Sequence, residues 1–170
     1  QAISLAEQST AFEQEQQWSL AVQRWQQALE YINQVPKDTT YYEQVFPLAA
    51  SYTTALSNAQ SYLKKTMALQ KAQQELLQRC SAMPDICESV TADQELHVRL
   101  AGYSNDFGIS ELQPNLTAGL KAGVEQRDDD TDSTLTPQNF NIWISEISAI
   151  GKTMQVSIKV YNPDGTVLGI

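Results

Sequence analysis

Glycine is missing from the first 101 residues of this 170-residue chain; all seven lie between Gly102 and Gly169. Glycine is the costliest ordinary residue in a helix interior, at about 1 kcal/mol relative to alanine, so a glycine-free, Gln- and Ala-rich segment favours helix. Histidine occurs once, at His97, which excludes a multi-histidine metal centre and leaves any Cys–His or Ser–His pair resting on one residue. The two cysteines are too few for a four-thiolate zinc site. No stretch approaches the roughly 20 consecutive apolar residues that a membrane span needs, and no basic segment followed by an apolar run opens the chain, so direct membrane insertion is not expected. Basic residues are few, 11 against 20 acidic ones for a net charge of −9, which argues against nucleic acid or anionic membrane surfaces as partners. No glycine-rich loop able to cradle a phosphate is present, and no cofactor is expected.

What is present divides in two. Residues 1–80 are close to neutral and free of glycine, whereas 81–170 hold most of the acidic excess and all the glycine. The expected organisation is a helical region over 1–80, a linker carrying the cysteine pair over 81–93, and a small mixed domain over 94–170. In the helical region, Leu5, Ser9 and Phe12 recur on one face of a first helix over about 2–15. Trp18, Ala21, Val22, Trp25, Ala28, Leu29 and Ile32 form a stripe of helical period over about 18–34, ended by Pro36. Thr40 and Glu43 have capping-box spacing and start a third helix, which Pro47 is expected to kink. Its polar end over 64–79 either stays exposed or turns back as a fourth helix.

Beyond the linker, Leu96, Val98 and Leu100 alternate with His97 and Arg99, the period of a half-buried strand. Residues 104–135, which hold Gly108, Pro114, Gly119, Gly123 and the run DDDTD, read as loops. Phe140, Trp143, Ile144, Ile147 and Ile150 fit a helix, with Thr136 as cap, Pro137 in the first turn and Gly151 just past the end. Met154, Val156, Ile158 and Val160 alternate before the turn sequence NPDG, which predicts a C-terminal β-hairpin. The expected fold class is α+β.

The opening residues resemble a tetratricopeptide repeat. Leu5, Ser9 and Phe12, then Ala21, Trp25, Ala28 and a terminating proline, follow that family's order over roughly residues 1–36. The resemblance implies two antiparallel helices that approach closely at Ala21 and Ala28, with Phe12 and Trp25 filling the space between them. The tryptophan repeat ending in VP, followed by a tyrosine-rich helix, also looks like repeats common in cyanobacterial proteins. Ser9 stands where the family prefers glycine or alanine, Pro36 comes late, and no third unit follows, so a small bundle with one repeat-like hairpin is expected rather than a solenoid. Transferred from the family's ligand-facing positions, the protein-binding groove would carry Ala6, Thr10, Glu13 and Gln14.

Three further patterns each have a plainer reading beside the functional one. Cys80 and Cys87 flank a proline-containing turn, and a local disulfide is preferred over two free thiols; six intervening residues do not support redox catalysis. Asp128, Asp130 and Asp132 alternate as calcium ligands do at the start of a binding loop, but Ser133 replaces the usual glycine and Asn139 the closing glutamate, so a solvated acidic loop is preferred. Asn115 to Thr117 fits a glycosylation acceptor, a pattern that also arises by chance. The functional expectation is therefore a non-enzymatic module that binds another protein, as a scaffold or the soluble part of a larger envelope-associated, extracytoplasmic protein. The alternative is a small-ligand or calcium-binding domain using the 104–135 loops.

Overall fold

The computed structural model describes residues 1–101 and 137–168. The fold is α+β: helices α1 (Ala2–Gln14), α2 (Trp18–Asn33) and α3 (Thr40–Ala82) precede strands β1 (Cys87–Ala92) and β2 (Leu96–Leu100), helix α4 (Pro137–Met154), and strands β3 (Ile158–Tyr161) and β4 (Val167–Leu168). Two compact units divide between Met67 and Ala68, inside α3. No strand occurs before Cys87 among the described residues.

In the first unit α1 and α2 form a hairpin. The reversal between them is a Schellman motif built without glycine: Gln16 takes φ 58°, its amide bonds the Glu13 carbonyl, and the Gln17 amide bonds the Phe12 carbonyl. Small residues let the helices close on each other, and Ala6, Ser9, Ala21 and Ala28 are all buried. Trp25 and Ile32 of α2, with Tyr52 and Ala59 of α3, complete this core. The α3 start lies one residue earlier than a Thr40 cap would place it. Thr40 is already helical, and the preceding Thr39 is occupied with Pro36, its hydroxyl donating to that carbonyl at 2.7 Å. Pro47 sits within α3 without ending it, and the polar stretch 64–79 continues as helix instead of turning back.

The second unit joins the end of α3 to α4 and a four-stranded sheet of order β1-β2-β3-β4. Strands β1 and β2 are antiparallel, β2 and β3 parallel, and β3 and β4 antiparallel. Leu96, Val98 and Leu100 face the core with Val160, as their alternation predicted, and meet Phe140, Trp143, Ile147 and Ile150 of α4 and Ala72 and Leu76 of α3. Residues 81–93, expected as a linker, hold the last turn of α3 and strand β1. The β3–β4 turn is NPDG, where Gly165 takes φ 87° and its amide bonds the Asn162 carbonyl.

Two boundaries differ from expectation at Gly151. The helix does not stop there but runs to Met154, and the chain reverses at Gln155, which has φ 56°, so β3 begins only at Ile158. The glycine serves packing instead: a Cβ at residue 151 would lie 3.2 Å from Ile158 Cδ1 and 3.3 Å from the Val156 carbonyl oxygen.

Cys80 and Cys87 are joined in a disulfide with Cα atoms 5.1 Å apart. The turn between them is closed by the amides of Ile86 and Cys87, which both bond the Met83 carbonyl, and both cysteines are buried in the core of this unit. The loop readings over 104–135, the Thr136 cap, Asp128, Asp130 and Asp132, and the Asn115 to Thr117 pattern lie outside the described residues.

Candidate functional site

The residues assigned to a groove on α1 separate into two kinds. Thr10 and Gln14 are exposed, with the Thr10 hydroxyl donating to the Ala6 carbonyl of its own helix at 3.1 Å. Ala6 is buried in the hairpin core, and Glu13 is half-buried and already engaged, its Oε1 accepting from Trp25 Nε1 at 2.7 Å. Ala6 therefore offers a partner no accessible side chain. Of the four positions transferred from the family, Thr10 and Gln14 are open, Glu13 is shared with Trp25 of α2, and Ala6 is closed off.

The face of Trp18 and Trp25 is met by tyrosines of α3. Trp25 is buried and its ring lies 5.1 Å from that of Tyr52 at a 54° tilt; Trp18 stacks on Tyr62 at 4.6 Å and 16°. Burial, and after it the Glu7 carboxylate, push the Tyr52 phenol above its ordinary pKa. The tyrosine-rich composition of α3 was visible in the sequence, but its pairing with particular tryptophans was not. Such pairing depends on how α3 crosses the hairpin, and a one-dimensional period carries no information about that.

Exposed aromatic and apolar side chains gather where α2 ends and α3 begins. Tyr41 is 70% and Phe46 57% exposed, and the rings of Tyr42 and Phe46 stack 5.1 Å apart. Beside them lies an open cleft of about 400 Å³ whose wall includes Ile32, Val35, Pro36, Lys37, Tyr42 and Phe46. A second open cleft, of about 390 Å³, lies along α2 and is lined by Leu5, Arg24, Gln27, Glu30, Tyr31 and Gln34. Its cation is partly engaged, since Arg24 Nη1 donates to Gln27 Oε1 at 2.8 Å.

In the second unit two neighbouring groups of bonded polar side chains come from β2, β3 and the residues just before them. His97 Nδ1 lies 3.0 Å from the Tyr161 hydroxyl, and Nε2 lies 3.2 Å from Asp93 Oδ1. With neutral imidazole, Nε2–H donates to the carboxylate and the phenol donates to Nδ1, so both ring nitrogens are satisfied. Adjacent to it, Lys159 pairs with Glu95, whose second oxygen accepts from the Ser157 hydroxyl at 3.0 Å. The Glu95 amide, then the His97 ring, hold the Asp93 carboxyl below the usual carboxylate range. The Lys159 hydrogen bond does the same to Glu95, and that bond in turn raises the Lys159 ammonium. The sequence placed His97 on an outward strand position, but the parallel β2–β3 register that brings Tyr161 to it was not foreseen. Among the described residues no group of three His, Cys, Asp or Glu side chains is disposed to hold a metal ion, and no helix is long and apolar enough to cross a membrane.

Comparison of the chain with protein-family models, with curated proteins and with solved structures finds no match.

Proposed function

We propose that this chain is a non-enzymatic protein-interaction or scaffold module whose helical unit is a degenerate tetratricopeptide-like hairpin. The observation that carries the reading is the closure of α1 on α2 through the buried small residues Ala6, Ser9, Ala21 and Ala28, with Trp25 filling the space beside them. A hairpin stabilised from inside in this way leaves Thr10 and Gln14 of α1 free to meet another protein. The buried Cys80–Cys87 disulfide supports work in an oxidising, extracytoplasmic compartment, as part of an envelope-associated protein, because such bonds are rare where thiols are kept reduced.

The test is site-specific photo-crosslinking in cells of the source organism, with the crosslinking amino acid at position 10 or 14 of the full-length protein. A discrete adduct with another protein is expected from both positions, lost when the other position is changed to arginine. Adducts no stronger than those from exposed Gln70 would sink the reading.

A further inference from the structure

We infer that the cleft at the open end of the hairpin receives an apolar side chain of a partner protein whose neighbouring residue is a carboxylate. This assignment rests on the proposed interaction role but uses a surface distinct from Thr10 and Gln14. The cleft walls are Ile32, Val35 and Pro36 on one side and the stacked Tyr42 and Phe46 on the other, and about 400 Å³ is enough for one large side chain and its backbone. Phe46 is 57% exposed on a chain with 8% aromatic residues, and aromatic side chains at a concave, partly desolvated surface are the residues that anchor protein interfaces.

Charge decides what accompanies the apolar anchor. Lys37 is the sole charged residue lining the cleft, and among the described residues it has no ion-pair partner. The acidic excess of the chain lies in residues 81–170 whereas 1–80 are close to neutral, so the nearest charge decides here: Lys37 on the cleft wall favours an acidic neighbour of the anchor and disfavours a basic one. An apolar residue followed by Asp or Glu satisfies both the walls and the rim.

Two fluorescein-labelled decapeptides test this against the full chain by anisotropy: both have a central Phe in a Gly/Ser background, one with Glu-Glu and the other with Lys-Lys following it. The Glu peptide is expected to bind about two- to fivefold tighter than the Lys peptide, the range for an exposed ion pair. Lys37→Glu should invert that preference, and Phe46→Ser should weaken both peptides by about tenfold or more, as loss of an anchor does. Circular dichroism checks that both surface variants keep the wild-type helix content. Equal binding of the two peptides, no binding of either, or a preference that survives Lys37→Glu overturns the assignment. So does concentration-dependent self-association that Phe46→Ser abolishes, which would give the cleft to a second copy. If crosslinks from positions 10 and 14 persist while the peptides fail, only this assignment falls; if those crosslinks fail, the interaction role itself falls.

Discussion

The indole Nε1–H of Trp25 donates to Glu13 Oε1 over 2.7 Å, tying the middle of α2 to the last turn of α1. The bond is charge-assisted, and it fixes the orientation of a ring that is itself buried against Tyr52. Trp25→Ala should therefore destabilise the helical unit by about 3 to 5 kcal/mol, from lost burial and the cavity left behind. Trp25→Phe keeps most of the apolar volume but strands the carboxylate, and should cost about 1 to 2 kcal/mol, low in the range for a bond to a charged group because Glu13 is only half-buried. Urea unfolding of the single variants and of Trp25→Phe with Glu13→Gln measures the coupling directly. Additive effects of the two changes would show that the bond contributes nothing.

The disulfide should stabilise the second unit by constraining its unfolded chain. A closed loop this short corresponds to about 2 to 3 kcal/mol of loop-closure entropy. Both cysteines are buried, so mild reductant should leave the folded protein oxidised while denaturant plus reductant opens it. Intact mass before and after reduction, each with and without urea, checks the order. Ready reduction without urea would mean that the α3 end opens far more easily than its packing implies.

How much of this was legible in the sequence follows from where period and packing agree. The stripes of α2 and α4 and the alternation of β2 each face one core, so their periods were readable, and Trp25, Phe140, Trp143 and Val98 are buried as those periods require. Strand β1 was not read because its register shifts between Cys87 and Ser89, and a bulge destroys the alternation by which a strand announces itself. Gly151 misled for a different reason. Glycine after an apolar stripe usually marks a helix end, yet here the demand for a missing Cβ comes from Ile158 and Val156, a tertiary neighbour and a reversing loop. The groove positions came from a family resemblance, which carries no record of how closely this hairpin closes: Ala6 is buried in its core, and Glu13 is half-buried and bonded to Trp25.

The acid side of the stability profile should be set by the polar face of the sheet and its hairpin turn. Asp93 and Glu95 have their carboxyls held low by the bonds described above, and Asp164 is lowered by the Thr166 hydroxyl and amide. A carboxyl whose folded pKa lies below its unfolded value, about 4, stabilises fully above that value and loses its contribution as the pH falls through the folded pKa. The raised Lys159 works at the other end: its contribution is complete below the ordinary lysine value and disappears as the pH rises through the folded one. Protection of the Leu96–Leu100 amides from hydrogen exchange, corrected for intrinsic rates, should thus be flat from about pH 5 to 9 and fall below about pH 4. Asp93→Asn and Glu95→Gln should each shallow the acid limb, and added salt should do likewise because these groups lie at the surface. An acid limb unchanged in both variants would place the responsible carboxylates elsewhere.

Ser9 tests the close approach of the hairpin most sharply. Its side chain is fully buried, and among the described residues its hydroxyl has one partner, the Leu5 carbonyl of its own helix at 2.8 Å. That bond bridges nothing between helices, and it competes with the helical pattern in the way hydroxyls in helix interiors do. Ser9→Ala removes the hydroxyl together with its only partner contact, improves helix propensity by about 0.5 kcal/mol, and keeps the small volume, so it should leave stability unchanged or slightly higher. Ser9→Val adds methyl groups where Ala21 and Ala28 of α2 are also wholly buried, and should cost about 1 to 3 kcal/mol by overpacking. The pair of variants separates two accounts of the residue under one urea titration. If Ser9→Ala is the damaging change and Ser9→Val the benign one, the serine is there for its hydroxyl, and the hairpin is not held at the short distance that its buried small residues imply.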